Sequence, residues 1–317
     1  MKPILGFVSS IFAAALLVGQ APISNVDGRI EREQPVRRLT FDSQYYDYWP
    51  AVSQDGSQVI FSRNDAQLAG KWKIWKASID TGEARPLNAA DFPYDCTRPS
   101  WSHDGRWIAF RASQGGKGSD FGGGTGGLWL MAPNGENVKA LTDSKKYDDY
   151  YPEWSPDNEW LAVTRSVLGD ENNDIWTVSL KGGERRITTS PKYDGKSTVS
   201  SNGKEIAFAS NRDGKLNIWI VDVAGGETTA RQFTHDQGRA PAWSPNGKWI
   251  AFESNRSGHY AIYLKRIDGG LAIQVTDDKS VAQHPVWTSD GKSVIFDAHS
   301  KDVKGYIALV DVREIVR

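Results

Sequence analysis

One short sequence pattern recurs six times from residue 50 onward, and it constrains the fold more than any other feature. The pattern reads Pro, any residue, an apolar residue, Ser or Thr, two residues, Gly or Asn, two residues, and then a short apolar run. The turn residues of successive copies lie 44 to 53 residues apart, a period typical of repeat architectures. The copies are Pro50 to Phe61, Pro99 to Phe110, Pro152 to Val163, Ser197 to Phe208, Pro241 to Phe252 and Pro285 to Phe296.

Each copy predicts a hairpin followed by a third strand. In five of the six copies an Asp-Gly or Asn-Gly pair, such as Asp104-Gly105, separates two apolar segments, and glycine accepts a positive φ at such a turn. The segment after the turn, as in Trp107 to Phe110, is apolar on both faces, so we expect neighbouring units to cover it. A third apolar segment follows in every copy, for example Ile218-Trp219.

A polar fourth strand completes each unit except the last. Val138 to Thr142 is one such strand, but the sixth copy reaches the C-terminus without it. Val36 to Thr40 has the same pattern as Val138 to Thr142, and we expect it to close the ring by pairing with the sixth unit, which removes an exposed edge. The fold predicted is all-β: a six-bladed β-propeller of four-stranded antiparallel blades, closed by an N-terminal strand.

The N-terminus has the features of a secretory signal. Lys2 precedes an apolar stretch from Ile4 to Val18, and small residues follow at Gly19 and Ala21. The stretch is short for a membrane span, and an uncleaved anchor is the alternative. We therefore expect a signal peptide over 1–21, a short linker over 22–35, a propeller over 36–317, and a periplasmic or secreted product without a membrane span after cleavage.

The net charge disfavours two classes of partner, and the cysteine count excludes an intramolecular disulfide. The net charge is -1, which gives no general attraction to nucleic acid or to an anionic membrane. Cys96 is the sole cysteine, so there is no intramolecular disulfide, and a buried thiol is the simplest interpretation.

The repeat, Pro-x-Trp-Ser-x-Asp-Gly-x-x-Ile-Ala-Phe with Ser-Asn-Arg-Asp-Gly at Ser210 to Gly214, resembles that of the TolB-like propeller family over residues 36–317. The resemblance implies a six-bladed propeller that binds partners in the cell envelope. TolB itself carries an α/β domain before its propeller, and here only Ala21 to Pro35 intervene. Propellers of the same kind precede the catalytic domain of some peptidases and form oligogalacturonate lyases.

Tyrosine and aspartate cluster in four consecutive loops that lead into the first strand of a blade. Tyrosine offers flat contact area, and aspartate accepts hydrogen bonds from sugars or pairs with basic groups. The alternative is that these residues fasten the loops themselves. The candidate partner-binding residues are Tyr46, Asp47, Tyr48, Trp49, Tyr94, Asp95, Tyr147, Asp149, Tyr150, Tyr193 and Asp194.

Other candidate sites are weaker. Arginines recur after the second strand of the blades, at Arg63, Arg111, Arg165, Arg212 and Arg256, and ion pairs with aspartates of adjacent blades explain them most simply. Asp170, Asn172 and Asp174 alternate as in a calcium loop but lack the glycine and distal glutamate of a full motif, so a polar hairpin loop is the alternative. No other cofactor is indicated.

The sequence carries no recognisable catalytic motif. The five histidines are scattered along the chain, and no nucleophile-elbow motif is present. Our first hypothesis is a non-catalytic propeller that engages a protein segment or a glycan at the channel mouth. The alternative is a carbohydrate-active lyase or hydrolase that uses Asp and Tyr residues on the same face.

Overall fold

The computed structural model contains six blades of four antiparallel strands, arranged as a propeller, which confirms the predicted fold class. The structure describes residues 24–26, 29–31, 35–42, 44–65, 71–88, 91–114, 125–169, 172–277 and 279–317. The expected signal peptide, Asp170 and most of the glycine-rich segment 115–127 therefore lie outside the described residues.

In blades one to five the four strands follow chain order from the channel outward, whereas in blade six the N-terminal segment Val36–Arg38 is the outermost strand. We call the strands of each blade first to fourth from the channel outward. Blade one comprises Tyr46–Val52, Gln58–Asp65, Lys71–Ser78 and Ala84–Pro86. Blade two comprises Asp95–Trp101, Ile108–Ser113, Gly126–Met131 and Lys139–Ala140. Blade three comprises Tyr147–Trp154, Trp160–Val167, Asn173–Ser179 and Glu184–Arg186.

Blade four comprises Asp194–Val199, Glu205–Ser210, Asn217–Asp222 and Arg231–Gln232. Blade five comprises Arg239–Trp243, Trp249–Ser254, Ala261–Arg266 and Gly269–Gln274. Blade six comprises Val281–Trp287, Ser293–His299 and Tyr306–Asp311, and Val36–Arg38 is its fourth strand. A 3-10 helix, Gly226–Thr229, precedes the fourth strand of blade four.

The repeated Ser-x-Asp-Gly segment forms the turn between the first and second strands. In blade one the Ser53 hydroxyl donates to the Asp55 carboxylate at 2.6 Å, and Gly56 sits at φ 70°. The Ser53 hydroxyl oxygen also accepts the amide of Gln58 at 3.0 Å, so one serine ties both ends of the turn together. The same Ser or Thr to Asp or Asn bond recurs in the other five blades.

The ring is closed as the sequence predicts. Val36–Arg38 pairs antiparallel with Tyr306–Asp311, the third strand of blade six. Leu39 then continues the contact, because its amide donates to the Ile307 carbonyl at 2.7 Å. Its side chain is 1% exposed and packs in a cluster that joins blades one and six.

The hydrophobic cores lie between neighbouring blades. Leu128 of blade two and Leu161 of blade three, for example, share one buried cluster. The Trp154 indole of blade three also donates to the Ser100 carbonyl of blade two at 3.1 Å. Each second strand is therefore covered on both faces, as its apolar sequence indicated.

Two short strands precede the propeller, within the segment expected to be a linker. Ser24–Val26 and Arg29–Glu31 form a hairpin, and the second of them runs parallel to Gly269–Gln274, the fourth strand of blade five. Blade five thereby becomes a six-stranded sheet. Among the described residues, no helix has the length and apolar character to cross a bilayer.

Candidate binding site in the channel

A ring of six residues, one from each blade, lines the central channel. In every blade the register between first and second strands shifts at one point, and at that bulge one residue has a left-handed backbone with φ between 46° and 55°. We call this set the channel ring; it consists of Trp49, Arg98, Tyr151, Lys196, Ala240 and His284.

The left-handed backbone of these residues is costly. A non-glycine residue held in this region costs on the order of 1–3 kcal/mol, and such strain tends to persist at functional sites. A bulge also re-aims a side chain relative to a regular strand. The propeller therefore has one strained backbone position in each of its six blades. The side chains at these positions differ from blade to blade and surround one cavity of about 100 Å³.

The amide groups of four ring residues are held by the preceding blade. Each donates to the side chain that directly follows the apolar run of that blade's second strand. The pairs are Trp49 to Asp297 at 2.9 Å, Arg98 to Ser62 at 3.1 Å, Lys196 to Thr164 at 2.9 Å and His284 to Glu253 at 3.0 Å. These contacts fix the ring residues from behind and link neighbouring blades.

Glu253 is a buried carboxylate that pairs with two cations on one side of the channel. Its side chain is fully buried, and it forms ion pairs with Lys196 at 3.2 Å and with Arg239. Burial alone would raise the pKa of Glu253, but Lys196, His284 and Arg239 together lower it to about 2. This carboxylate therefore stays ionised because cations surround it.

His284 contacts two buried acids, Glu253 through its backbone amide and Asp297 through its imidazole ring. Its Nδ1 lies 2.9 Å from Asp297 Oδ1, and its Nε2 lies 3.3 Å from the Lys196 ammonium. Burial raises the pKa of Asp297, and the contacts with His284 and the Trp49 amide oppose that rise.

Tyr151 lies between two cations. The Arg98 guanidinium is 4.7 Å from the centre of its ring, and the Lys196 ammonium is 5.6 Å away. Burial would raise the pKa of the Tyr151 hydroxyl, but Lys196, then Arg98 and His284, outweigh it and lower the pKa to about 7. Farther along the channel, burial raises the pKa of Glu153 to about 7. The channel thus contains two groups poised to titrate near neutrality.

The structure places most of the candidate aspartates in buried ion pairs within their own blade. Asp47 pairs with Arg63, Asp149 with Arg165, and Asp194 with Arg212, at 2.6 to 2.7 Å. Asp95 instead accepts the amide of Trp72 from blade one at 2.9 Å. These four carboxylates do not converge on one pocket.

The arginine pairing differs in part from the expectation. Arg111 reaches an acid of an adjacent blade, Asp148, at 3.0 Å, whereas Arg63, Arg165 and Arg212 pair with an aspartate of their own blade. The first and second strands of one blade are hydrogen-bonded neighbours, and Asp149 and Arg165 lie directly opposite each other in them. An arginine on the second strand is therefore closer to an aspartate of its own blade than to one of the next blade. Arg256 donates to the Gln237 carbonyl at 2.7 Å.

The candidate tyrosines fall into two groups. Tyr48 and Trp49 pack with Trp72 and Tyr151 in one aromatic cluster at the channel. Tyr46 stacks on Tyr48 and is 42% exposed. Tyr94 packs on Trp129 of its own blade with ring centres 5.4 Å apart, and Tyr147 lies against Arg165 of its own blade. Tyr150 bonds to Asp148 and also lies 4.6 Å from the Arg111 guanidinium of blade two, while burial raises the pKa of Tyr193.

The described part of the candidate calcium loop is engaged by the protein. Arg186 pairs with Asp174, and the Asn172 amide donates to the Ser190 carbonyl. Among the described residues, no group of three or more His, Cys, Asp or Glu side chains is arranged to hold a metal ion. Cys96 is fully buried, in agreement with the expectation of a buried thiol, and burial raises the pKa of that thiol.

Sequence reasoning missed most of the ring. The residue before a proline is expected to be extended, so nothing in Arg98-Pro99 or His284-Pro285 announced a left-handed backbone. Two signals were present, however. The position before the repeat proline varies while its surroundings stay constant, and Glu253 and Asp297 put acids directly after the phenylalanine of a strand that is otherwise buried.

Comparison with known proteins supports the fold. No protein-family model matches this chain. A curated TolB homologue from Chlorobium luteolum is 29% identical over 174 residues, 55% of this chain and 36% of that protein. The chain thus matches little more than a third of that relative's length.

Two solved structures are similar over most of the chain. A putative TolB from Agrobacterium tumefaciens has a TM-score of 0.65 at 17% identity and covers 87% of this chain and 96% of its own. An oligogalacturonate lyase from Vibrio parahaemolyticus has a TM-score of 0.58 at 13% identity and covers 90% and 95%. The chain has the fold of the TolB-like six-bladed β-propellers, and an enzyme, the oligogalacturonate lyase, shares that fold.

Proposed function

We propose that this protein is an exported, non-catalytic binding propeller of the cell envelope, and that it engages a segment of a protein partner at the channel. The observation that carries the proposal is the channel ring. Each blade accepts a strained residue to direct a side chain toward the channel, and blades five and six add the buried charges of Glu253 and Asp297 behind it. Purely structural repeats would not need a different side chain at each equivalent position.

The exposed aromatic surface beside the ring supports the same function. Tyr46 is partly exposed and stacks on Tyr48, which in turn contacts Trp49 of the ring. Aromatic anchors of this kind concentrate interface energy. The sequence similarity to a TolB homologue favours a protein partner over a glycan.

Site-specific photocrosslinking tests this proposal. A photoreactive phenylalanine analogue is placed at Tyr46, beside the ring, and in a second protein at Leu271, which is 63% exposed on blade five. We expect one defined envelope protein to crosslink at Tyr46 and not at Leu271. Crosslinking at both positions, or at Leu271 alone, would contradict engagement at the channel.

A second candidate function is that of a carbohydrate-active lyase or hydrolase. The observation that favours it is Tyr151, a tyrosine with a pKa of about 7 beside Lys196 and Arg98, since a general base works best with a pKa near the working pH. Incubation with a panel of acidic and neutral polysaccharides, followed by ultraviolet absorbance for unsaturated products and by reducing-end analysis, tests it. Product formation that Tyr151→Phe abolishes would favour the enzyme.

A further inference from the structure

Arg98 differs from the other arginines near the channel. Arg63, Arg111, Arg165 and Arg212 each form an ion pair with an aspartate, and Arg239 pairs with Glu253. Within the described part of the chain, no carboxylate lies within ion-pair distance of Arg98. Its guanidinium instead lies 4.3 Å from the centre of the Trp49 ring system and near the rings of Tyr150 and Tyr151. It donates to the Thr97 hydroxyl at 3.1 Å and also forms a side-chain hydrogen bond with Tyr151.

The Arg98 side chain also keeps an unused donor. Its Nε atom is buried and has no hydrogen-bond partner. A buried donor without an acceptor costs about 1–3 kcal/mol, and more for a charged group. An acceptor brought by a ligand would recover that cost.

Arg98 and Lys196 line the cavity as cations together with the carboxyl of Glu153, whose pKa burial raises to about 7, so the cations outnumber the ionised carboxylates of this lining at and below neutral pH. The buried acids behind the ring already have partners: Glu253 pairs with Lys196 and Arg239, while Asp297 holds His284 and the Trp49 amide. Arg98 and Lys196 approach the same Tyr151 ring, so one bound group can contact both. The cavity of about 100 Å³ between them has room for a small acid group.

We propose that the channel ring is a binding site for a single carboxylate, supplied by an aspartate or glutamate side chain of the partner segment, with Arg98 and Lys196 as its ligands. The inference rests on the proposed binding function. A planar carboxylate matches the guanidinium fork, whereas a dianion such as phosphate would meet stronger repulsion from Glu253 and Asp297. The rings of Trp49 and Tyr151 form aromatic walls beside the acid.

A matched pair of fluorescent peptides tests the proposal. The probe is a short glycine-rich peptide that carries one glutamate, and its control carries glutamine at the same place; binding is followed by fluorescence anisotropy. We expect the glutamate peptide to bind and the glutamine peptide to bind at least about tenfold more weakly, because a charge-assisted hydrogen bond contributes about 1.5–3 kcal/mol. Equal binding of the two peptides would overturn the inference.

Variants assign the effect to the ring. Arg98→Gln and Lys196→Gln should each weaken binding of the glutamate peptide about tenfold or more, while Arg266→Gln, an exposed arginine paired with Asp268, should not. Urea unfolding of every variant checks that the propeller stays folded, and Arg98→Lys gives a charged replacement should Arg98→Gln be unstable. Unchanged binding by folded Arg98→Gln and Lys196→Gln proteins would overturn the site.

Failure of this inference is distinguishable from failure of the proposed function. If the partner crosslinks at Tyr46 equally well in wild-type and Arg98→Gln proteins, the carboxylate site is wrong and the binding function stands. If the glutamate peptide binds through Arg98 but no partner crosslinks at Tyr46, the site stands and the proposed function fails.

Discussion

The amide of Trp49 in blade one donates to the carboxylate of Asp297 in blade six at 2.9 Å, across the joint where the first and last blades meet. The same oxygen of Asp297 lies 2.9 Å from His284 Nδ1. One buried acid therefore holds two members of the channel ring and helps to join the ends of the chain. This contact is separate from the closing strand, which lies at the outer edge of blade six.

Replacement of Asp297 should destabilise the joint in a graded way. Asp297→Ala leaves the Trp49 amide without its acceptor, and we expect a loss of about 1–3 kcal/mol in the free energy of unfolding. Asp297→Asn keeps an oxygen for that amide and should cost less. Urea unfolding measures both, with exposed Asp302→Ala as a control expected to change stability by less than about 0.5 kcal/mol. Equal stability of Asp297→Ala and Asp302→Ala would contradict a role in closure.

The closing strand gives a second prediction. Deletion of residues 36–40 should cause aggregation, because blade six loses its outer strand and exposes an edge. The milder change Leu39→Ala should lower the free energy of unfolding by about 2–5 kcal/mol, since this side chain is buried between blades one and six. Exposed Val36→Ala on the same strand is the matched control. A deletion variant that stays monomeric with an unchanged unfolding midpoint would mean that the ring does not depend on this strand.

The fold was predictable from sequence and the candidate site was not, for physical reasons. Blade architecture depends on hydrophobic periodicity and turn glycines, which each copy carries in order, and even the closing strand showed its pattern at Val36 to Thr40. The channel ring depends on bulges and on approach between blades. Lys196 and Glu253 are 57 residues apart in the chain yet pair at 3.2 Å, and no local pattern encodes such a contact. Aspartates that looked like ligands, such as Asp149, are instead neutralised by an arginine across the strand pair.

Glu153 predicts a dependence of stability on pH. Burial raises its pKa from 4.5 in the unfolded chain to about 7, so the folded state holds this proton more tightly. Its contribution to stability is full below about pH 4.5, is lost as the pH rises toward 7 and stays lost above it. Glu153→Gln should therefore gain stability relative to wild type across that window and keep the gain at pH 8. Thermal unfolding at several pH values measures it, with exposed Glu136→Gln as the control. A constant difference at all pH values would contradict the buried proton.

Tyr151 should ionise near neutrality. Because Lys196, Arg98 and His284 lower its pKa to about 7, the ultraviolet difference spectrum between wild type and Tyr151→Phe should show one tyrosinate appearing around pH 7. Lys196→Gln and Arg98→Gln should each move that transition to higher pH. Since the tyrosinate would neutralise the same cations, binding of the glutamate peptide should weaken as the pH rises through 7. Tyr151→Phe should reduce that loss, and the ionisation of Glu153 on the same cavity accounts for the remainder. Binding that strengthens with pH would contradict this arrangement.

Tyr46 and Tyr94 separate a binding role from a packing role. Tyr46 is 42% exposed and has the Lys304 ammonium 5.2 Å from its ring centre, whereas Tyr94 packs edge-on against Phe92 and also contacts Trp129. We therefore expect Tyr46→Ala to weaken binding of the crosslinked partner while changing stability by less than about 0.5 kcal/mol. Tyr94→Ala should instead cost about 1–3 kcal/mol in unfolding free energy, because it removes two aromatic contacts and their buried area. Biolayer interferometry with the partner and urea unfolding measure the two effects, and Leu271→Ala controls for loss of an exposed apolar side chain away from the channel. If Tyr46→Ala binds as wild type does while Tyr94→Ala unfolds early, the loop tyrosines are packing residues and the partner is held by the channel ring alone.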